Sequence, residues 1–156
     1  MNLDQLEHVL RAASTIVNEA DVLVIGSQAV LGSIPDDRLP LEATTSIEAD
    51  LAFFDDPDDE KADRVDGAIG ELSTFHATYG YYAQGVSVST ATLPAGWRDR
   101  LVPLTTPNTA PARGLCLEPH DCVVSKLVAH RPKDLDFAAA LLRENLVDAD
   151  ILVERI

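Results

Sequence analysis

Two stretches of the sequence carry residue types, at spacings, that suit phosphate chemistry. Val24-Ile25-Gly26-Ser27 ends an apolar run with a glycine and a hydroxyl. A turn of that kind, closing a buried strand and opening a helix, offers backbone N–H groups and an O–H donor to an anion. Ile47-Glu48-Ala49-Asp50-Leu51 sets two carboxylates two residues apart. On a strand, alternate side chains share a face, so Glu48 and Asp50 should point the same way. Paired carboxylates suit Mg²⁺ or Mn²⁺ carried on nucleotide phosphates, since such an ion takes few protein ligands and keeps waters and phosphate oxygens. Held close with no ion between them, two carboxylates repel, and one should acquire a raised pKa. Gly26 and Ser27 as a nucleotide-phosphate cradle, with Glu48 and Asp50 as metal ligands, make a phosphoryl- or nucleotidyl-transfer arrangement. Both carboxylates should then face Ser27 at the mouth of one cleft. Each half is weak alone, because a Gly-Ser turn or a solvated Glu-x-Asp face is common. Neither Gly26 nor Gly32 is followed by the Lys-Ser/Thr of a P-loop.

The positive charge is concentrated as well. Of only three lysines, Lys126 and Lys133 lie close together, with His130 and Arg131 between them. Lys126 and His130, four residues apart, should share a helix face, and the cluster could neutralise a triphosphate or meet an RNA end. Asp134 could orient a lysine or act as a base. The alternative is helix-end charge complementing the macrodipole, with Asp134 as a cap. Cys116 and Cys122 fit no common metal motif and read as free core thiols. The histidines at 8, 76, 120 and 130 form no HExxH pattern.

These groups need a scaffold, and the periodicity supplies one. Residues 3–19 read as an amphipathic helix through Leu3, Leu6, Val9, Leu10, Ala13 and Val17. Asp21–Ile25 and Ile47–Phe54 read as strands, and Gln28–Leu31 as a short helix that Ser27 could cap. Between them, Gly32–Thr45 reads as a loop. Asp58 is placed to cap a helix running to about Ser73, with Ala62, Val65, Ile69 and Leu72 on one face. Thr78–Val88, Leu101–Thr105 and Leu115–Leu117 read as β. Pro119–His130 reads as a helix burying Val123, Val124, Leu127 and Val128, and Pro132 starts another whose face is Leu135, Ala138, Ala139 and Leu142. Ala149–Ile156 reads as a helix ending without a cap, as in a chain that continues further. Tyr79, Tyr81 and Tyr82 read as strand packing rather than a base-stacking platform. Trp97 should pack beneath the turn at 93–96, and Asp55–Glu60 reads as a solvated turn. The order gives an α/β (α+β) class with a small mixed sheet flanked by helices. It is one domain over 1–156, with a sheet-containing core at 1–110 and a mainly helical part at 111–156.

Composition narrows the function classes. The chain has 156 residues, 46% hydrophobic and 24% charged, enough for a packed core without disulfide or metal staples. Twelve basic residues stand against 26 acidic ones, a net charge of −14, which excludes grip on nucleic acid or an anionic membrane by bulk charge. No apolar run approaches the ~20 residues of a membrane span, and MNLDQLEHVL lacks a basic signal-peptide start. The expectation is a cytoplasmic protein without a membrane partner.

Ile25-Gly26-Ser27 followed by Glu48-x-Asp50-Leu51 resembles the signature of the polymerase-β-like nucleotidyltransferase superfamily. Leu117-Glu118-Pro119-His120-Asp121, Ser125-Lys126-Leu127-Val128-Ala129 and Arg131-Pro132-Lys133-Asp134-Leu135 are similar to its AbiEii-type branch of minimal nucleotidyltransferases, many of them toxins of toxin–antitoxin pairs. The resemblance covers roughly residues 20–145. It implies a minimal nucleotidyltransferase fold, an NTP donor and Mg²⁺ or Mn²⁺ as cofactor. Glu48, Asp50, Lys126 and Asp134 would be catalytic, and Gly26, Ser27, Lys126 and Lys133 nucleotide-binding. Implied partners are an RNA end, such as that of tRNA, or a protein hydroxyl, together with a cognate antitoxin. Two features depart from the pattern. The spacer between Ser27 and Glu48 is long, and Gln84 stands where a third carboxylate would be expected. A catalytically degenerate relative that binds nucleotide or a protein partner without turnover is therefore the second reading, and protein nucleotidylylation a third.

Overall fold

A computed structural model describes residues 1–156. The amphipathic run forms α1 (Leu3–Val17), opened by an Asn2/Gln5 capping box and closed at Asn18 in the left-handed conformation. Strand β1 (Asp21–Val24) follows, then a 3₁₀ turn at Ser27–Gly32. The spacer is partly ordered into α2 (Leu41–Thr44) before β2 (Glu48–Ala52). After α3 (Glu60–Ile69) and α4 (Thr74–Tyr79) come β3 (Tyr82–Gly85), β4 (Val102–Leu104) and β5 (Arg113–Cys116). The chain ends in α5 (Pro119–Ala129), α6 (Pro132–Arg143) and α7 (Ala149–Arg155). No helix is long and apolar enough to cross a membrane.

The five strands form one mixed sheet in the order β3-β2-β1-β5-β4. Strand β1 runs antiparallel to β2 and parallel to β5, and β2 runs parallel to β3. One core runs through the molecule, with Leu6, Val9, Leu10, Val22, Leu23, Leu51, Val65, Leu117 and Leu141 fully buried. Burying each such side chain stabilises the fold by about 1.5–3 kcal/mol. At Gly114 an added Cβ would lie 2.8 Å from Leu10 Cδ1, so α1 packs directly on the β5 backbone there. The buried Glu7 of α1 accepts hydrogen bonds from Thr106 Oγ1 (2.9 Å) and Asn108 Nδ2 (3.2 Å).

Several elements depart from the periodicity, each for a local reason. Thr78 and Tyr79, read as the start of a strand, end helix α4 instead: Ser73 accepts the His76 N–H and Gly80, at φ +79°, ends the turn, so caps outweigh the β preference of these two residues. Asp58 does not cap α3. Asp56 does, accepting the N–H groups of Lys61 (2.9 Å) and Ala62 (3.0 Å). That helix stops at Gly70, which leaves Leu72 exposed instead of on the buried face. Ser27 does not cap its turn either; Gly26 occupies that position without a side-chain bond. Helix α6 is rotated from the expected face: Asp134, Phe137, Ala138 and Leu141 are buried while Leu135 is exposed. On α5, Val128 is exposed too. Trp97 sits in its own 3₁₀ turn, stacked on Phe54 with ring centroids 6.3 Å apart.

Candidate functional site

The strand register explains how residues far apart in sequence meet. Because β1 and β2 are antiparallel with Val24 opposite Leu51, the chain leaving β1 passes alongside Asp50, and Ile25 N–H donates to the Asp50 carbonyl at 3.1 Å. Because β5 runs parallel to β1 with Cys116 beside Val24, α5 starts at that same end of the sheet. The result is a cleft of about 750 Å³ whose walls include Ser27, Glu48, Asp50, Gln84 and Lys126. Arg131, Lys133 and Asp134 complete its charged lining. The long spacer forms a further wall through Glu42, Thr45 and Ser46.

Glu48 and Asp50 share one face of β2, and each is held by a different device. Glu48 pairs across the ladder with Tyr82, whose hydroxyl donates to Glu48 Oε2 at 2.6 Å. That hydrogen bond, with burial, pushes the Tyr82 phenol far above its ordinary range, so it remains a donor. Asp50 lies against Gly26: a Cβ on Gly26 would sit 2.3 Å from Asp50 Oδ2 and 3.0 Å from its Cβ. Gly26 is buried beneath the aspartate and does not line the cleft. Its lack of a side chain makes room for Asp50. Burial, followed by a hydrogen bond from the pair to Glu48 and repulsion by that carboxylate, raises the Asp50 pKa to about 6. Lys126 and Lys133 pull in the opposite direction.

The remaining groups are ordered by short contacts. Gln28, fully buried, donates from Nε2 to Ser27 Oγ (3.1 Å) and to the Ala43 carbonyl (3.3 Å), tying the Ser27 turn to α2. Asp134 turns inward from α6 and accepts from Arg131 Nε (2.6 Å) and Nη2 (3.2 Å), with Lys126 Nζ at 3.7 Å. Burial alone would raise the Asp134 pKa, but the Arg131 hydrogen bonds and the Lys126 charge outweigh it and hold the carboxyl below its ordinary range. It is therefore suited to fixing Lys126 and poorly suited to accepting a proton at neutral pH. Lys133 is exposed on the cleft rim, and Arg131 lines the cleft whereas His130, which terminates α5 in the left-handed conformation, does not. Gln84 is directly opposite Asp50 on β3, so the neighbouring strand presents an amide at that level.

The Leu117–Asp121 stretch does not enter this cleft. Glu118 caps α5 by accepting the His120 N–H at 3.1 Å, and the fully buried Asp121 binds Arg100 Nε (2.8 Å) and Arg155 Nη1 (3.0 Å). These bonds anchor α7 and the 97–100 turn to the start of α5. Cys116 and Cys122 are free and buried, their thiols pushed up to about 12, and the Cys122 thiol donates to the Gly26 carbonyl at 3.6 Å. Tyr82 and Gln28 are the site residues that sequence reasoning missed. A strand tyrosine reads as packing, and only the ladder register reveals its acceptor.

Two hard oxygen donors on one strand, facing a cationic helix, suit an ion of the Mg²⁺ type, which binds through one or two carboxylates. The raised Asp50 pKa comes first from burial and only then from the neighbouring Glu48 carboxylate. No group of three or more His, Cys, Asp or Glu side chains is placed to hold a metal ion, so further ligands beside Glu48 and Asp50 would have to be substrate oxygens or water. The fold is an α/β domain whose five-stranded mixed sheet carries this cleft at one end. The model of a family described as nucleotidyltransferases of unknown function (DUF6036) matches residues 2–156, and the chain belongs to that family. No curated protein and no solved structure matches it.

Proposed function

We propose that this nucleotidyltransferase moves a nucleotide from an NTP to an RNA end or a protein hydroxyl, forming a bond from the acceptor oxygen to the α-phosphorus as pyrophosphate leaves. One observation carries the reading: Glu48, Asp50, Ser27, Lys126 and Lys133, drawn from three separate stretches of sequence, line a single cleft. Glu48 and Asp50 would hold Mg²⁺ or Mn²⁺, which when bound neutralises phosphate charge and polarises the reacting phosphorus. The cleft supports such a requirement, since its three cations already face the carboxylates of Glu42, Glu48, Asp50 and Asp134. A triphosphate would add far more negative charge than those cations can meet.

Ser27 would donate its hydroxyl proton to a phosphate oxygen, its Oγ already accepting from Gln28. Lys126, held by Asp134, would meet charge developing on the departing pyrophosphate. Lys133, free at the rim, would engage the outer phosphates. Gly26 contributes by admitting Asp50 rather than by touching phosphate. The AbiEii-type resemblance favours a toxin of a toxin–antitoxin pair that acts in the cytoplasm on tRNA or another RNA end and is restrained by a cognate antitoxin. The net charge of −14 requires that an RNA be met locally by the Lys126–Lys133 segment.

A second reading, a degenerate nucleotide binder, is favoured by Gln84 standing opposite Asp50. One experiment separates them. The protein is incubated with each α-³²P-labelled triphosphate, Mg²⁺ or Mn²⁺, and total RNA or a protein extract, beside Lys126→Ala. Label that enters RNA or protein with the native chain, and falls at least tenfold with Lys126→Ala, supports transfer. Stabilisation by metal and triphosphate without labelled product supports the binder. Neither label nor stabilisation rejects both.

A further inference from the structure

We propose that Tyr82 is a positioning residue that fixes the rotamer of Glu48 and so presents its carboxylate to a divalent ion in the cleft, an inference that rests on the metal-binding reading of Glu48 and Asp50. Glutamate is the less constrained of the two carboxylates. It has one more side-chain torsion than aspartate, and the ordering of each such torsion is unfavourable when a ligand binds. Asp50 is confined by the close approach of Gly26. Glu48 is half-buried, and the hydrogen bond that holds its side chain from outside the carboxylate pair comes from Tyr82, 2.6 Å away.

Tyr82 is itself rigid. Its residue is buried, and the His76 ring lies against it with centroids 4.6 Å apart. His76 is fixed in turn, its Nδ1 accepting the Leu72 N–H at 3.1 Å on a helix capped by Ser73. The phenol occupies one lone pair of Oε2, and once Asp50 is ionised and no longer donates to Glu48, the carboxylate's other lone pairs are open to an ion. Outer groups that orient metal ligands in this way commonly contribute 10–100-fold to metal affinity.

Tyr82→Phe keeps the ring and its packing and removes only the hydroxyl. Mn²⁺ binding is measured by the loss of free-ion electron paramagnetic resonance signal, with Mn²⁺ alone and with each ribonucleoside triphosphate. The native protein should bind, and Tyr82→Phe should bind at least tenfold more weakly, with its melting curve in chelator unchanged. On a Glu48→Gln background the same substitution should change nothing further, because the hydroxyl acts only through that carboxylate. A packing role would move the chelator melting curve and would add to Glu48→Gln. Equal Mn²⁺ affinity in native and Tyr82→Phe proteins overturns the inference while leaving the metal site standing. Absence of Mn²⁺ binding in the native protein under every condition overturns the site and the inference with it. Should Tyr82→Phe not fold, His76→Ala, which frees the tyrosine ring, is expected to weaken Mn²⁺ binding in the same direction, and unchanged affinity there refutes the proposal.

Discussion

Replacing Asp50 by asparagine should stabilise the protein above about pH 6 and leave it nearly unchanged below pH 4. In the fold the Asp50 carboxyl titrates at about 6, against 3.8 when unperturbed, because it is buried and faces Glu48. Below 3.8 the native and unfolded chains both hold the proton, and the neutral acid resembles the amide. Between those values the native state keeps a proton that the unfolded chain has released, so stability falls as pH rises and is fully lost to this group above 6. The gap of about 2 pH units, at 1.36 kcal/mol each, amounts to at most about 3 kcal/mol. Asparagine has no charge to ionise and can donate to Glu48, so at pH 8 it should recover most of that sum, a rise in melting temperature of about 6–12 °C for a chain of this size. Urea unfolding at pH 4 and pH 8, followed by far-UV circular dichroism with chelator present, measures both values. An equal gain at the two pH values, or a net loss at pH 8, would refute the electrostatic reasoning. The proposed function expects Mg²⁺ and triphosphate to raise the melting temperature of the native protein, and this variant should lose that gain, since the ionised Asp50 carboxylate is the charge that would bind the ion.

Gly26→Ala should destabilise the fold by about 1–3 kcal/mol and abolish the metal binding proposed for Glu48 and Asp50. The backbone there, at φ −85°, accepts alanine without strain, so the effect comes chiefly from the approach to Asp50 Oδ2 (2.3 Å) and Cγ (2.8 Å), atoms an alanine at position 50 lacks. Pairing it with Asp50→Ala should restore the lost stability in a thermal melt, and no restoration would place the strain elsewhere. Asp121→Ala should cost about 1–3 kcal/mol, because Arg100 loses its carboxylate partner while Arg155 keeps Glu118. A loss below about 1 kcal/mol in urea unfolding would show that Arg100 finds a new partner cheaply.

What the sequence made legible depended on how locally each feature is encoded. The apolar runs of β1 and β2, the amphipathic face of α1 and the Pro-led starts of α5 and α6 are set by side chains within a few residues, and they stand where the pattern puts them. The pairing of Glu48 with Asp50 on one face follows from strand alternation alone. Thr78 and Tyr79 misled because both residue types favour strands, whereas Ser73 and Gly80, two residues at the ends of α4, decide for helix. The inward turn of Asp134 was hidden by the same limitation: Leu135 is the better core residue by composition, but Lys126 and Arg131 draw the carboxylate in and rotate the helix.

The spacer shows the limit most clearly. Its length suggested an unusual course between Ser27 and Glu48, and the antiparallel register of β1 with β2 makes that length immaterial to their meeting. The added residues instead build a wall of the cleft and, through Gln28, hold the Ser27 hydroxyl to the carbonyl of Ala43. A motif spacing records where a chain leaves and rejoins a sheet. Which side chains then steady the motif, Tyr82 for Glu48 and Gly26 for Asp50, is fixed by ladder neighbours and close approaches that have no period in the sequence.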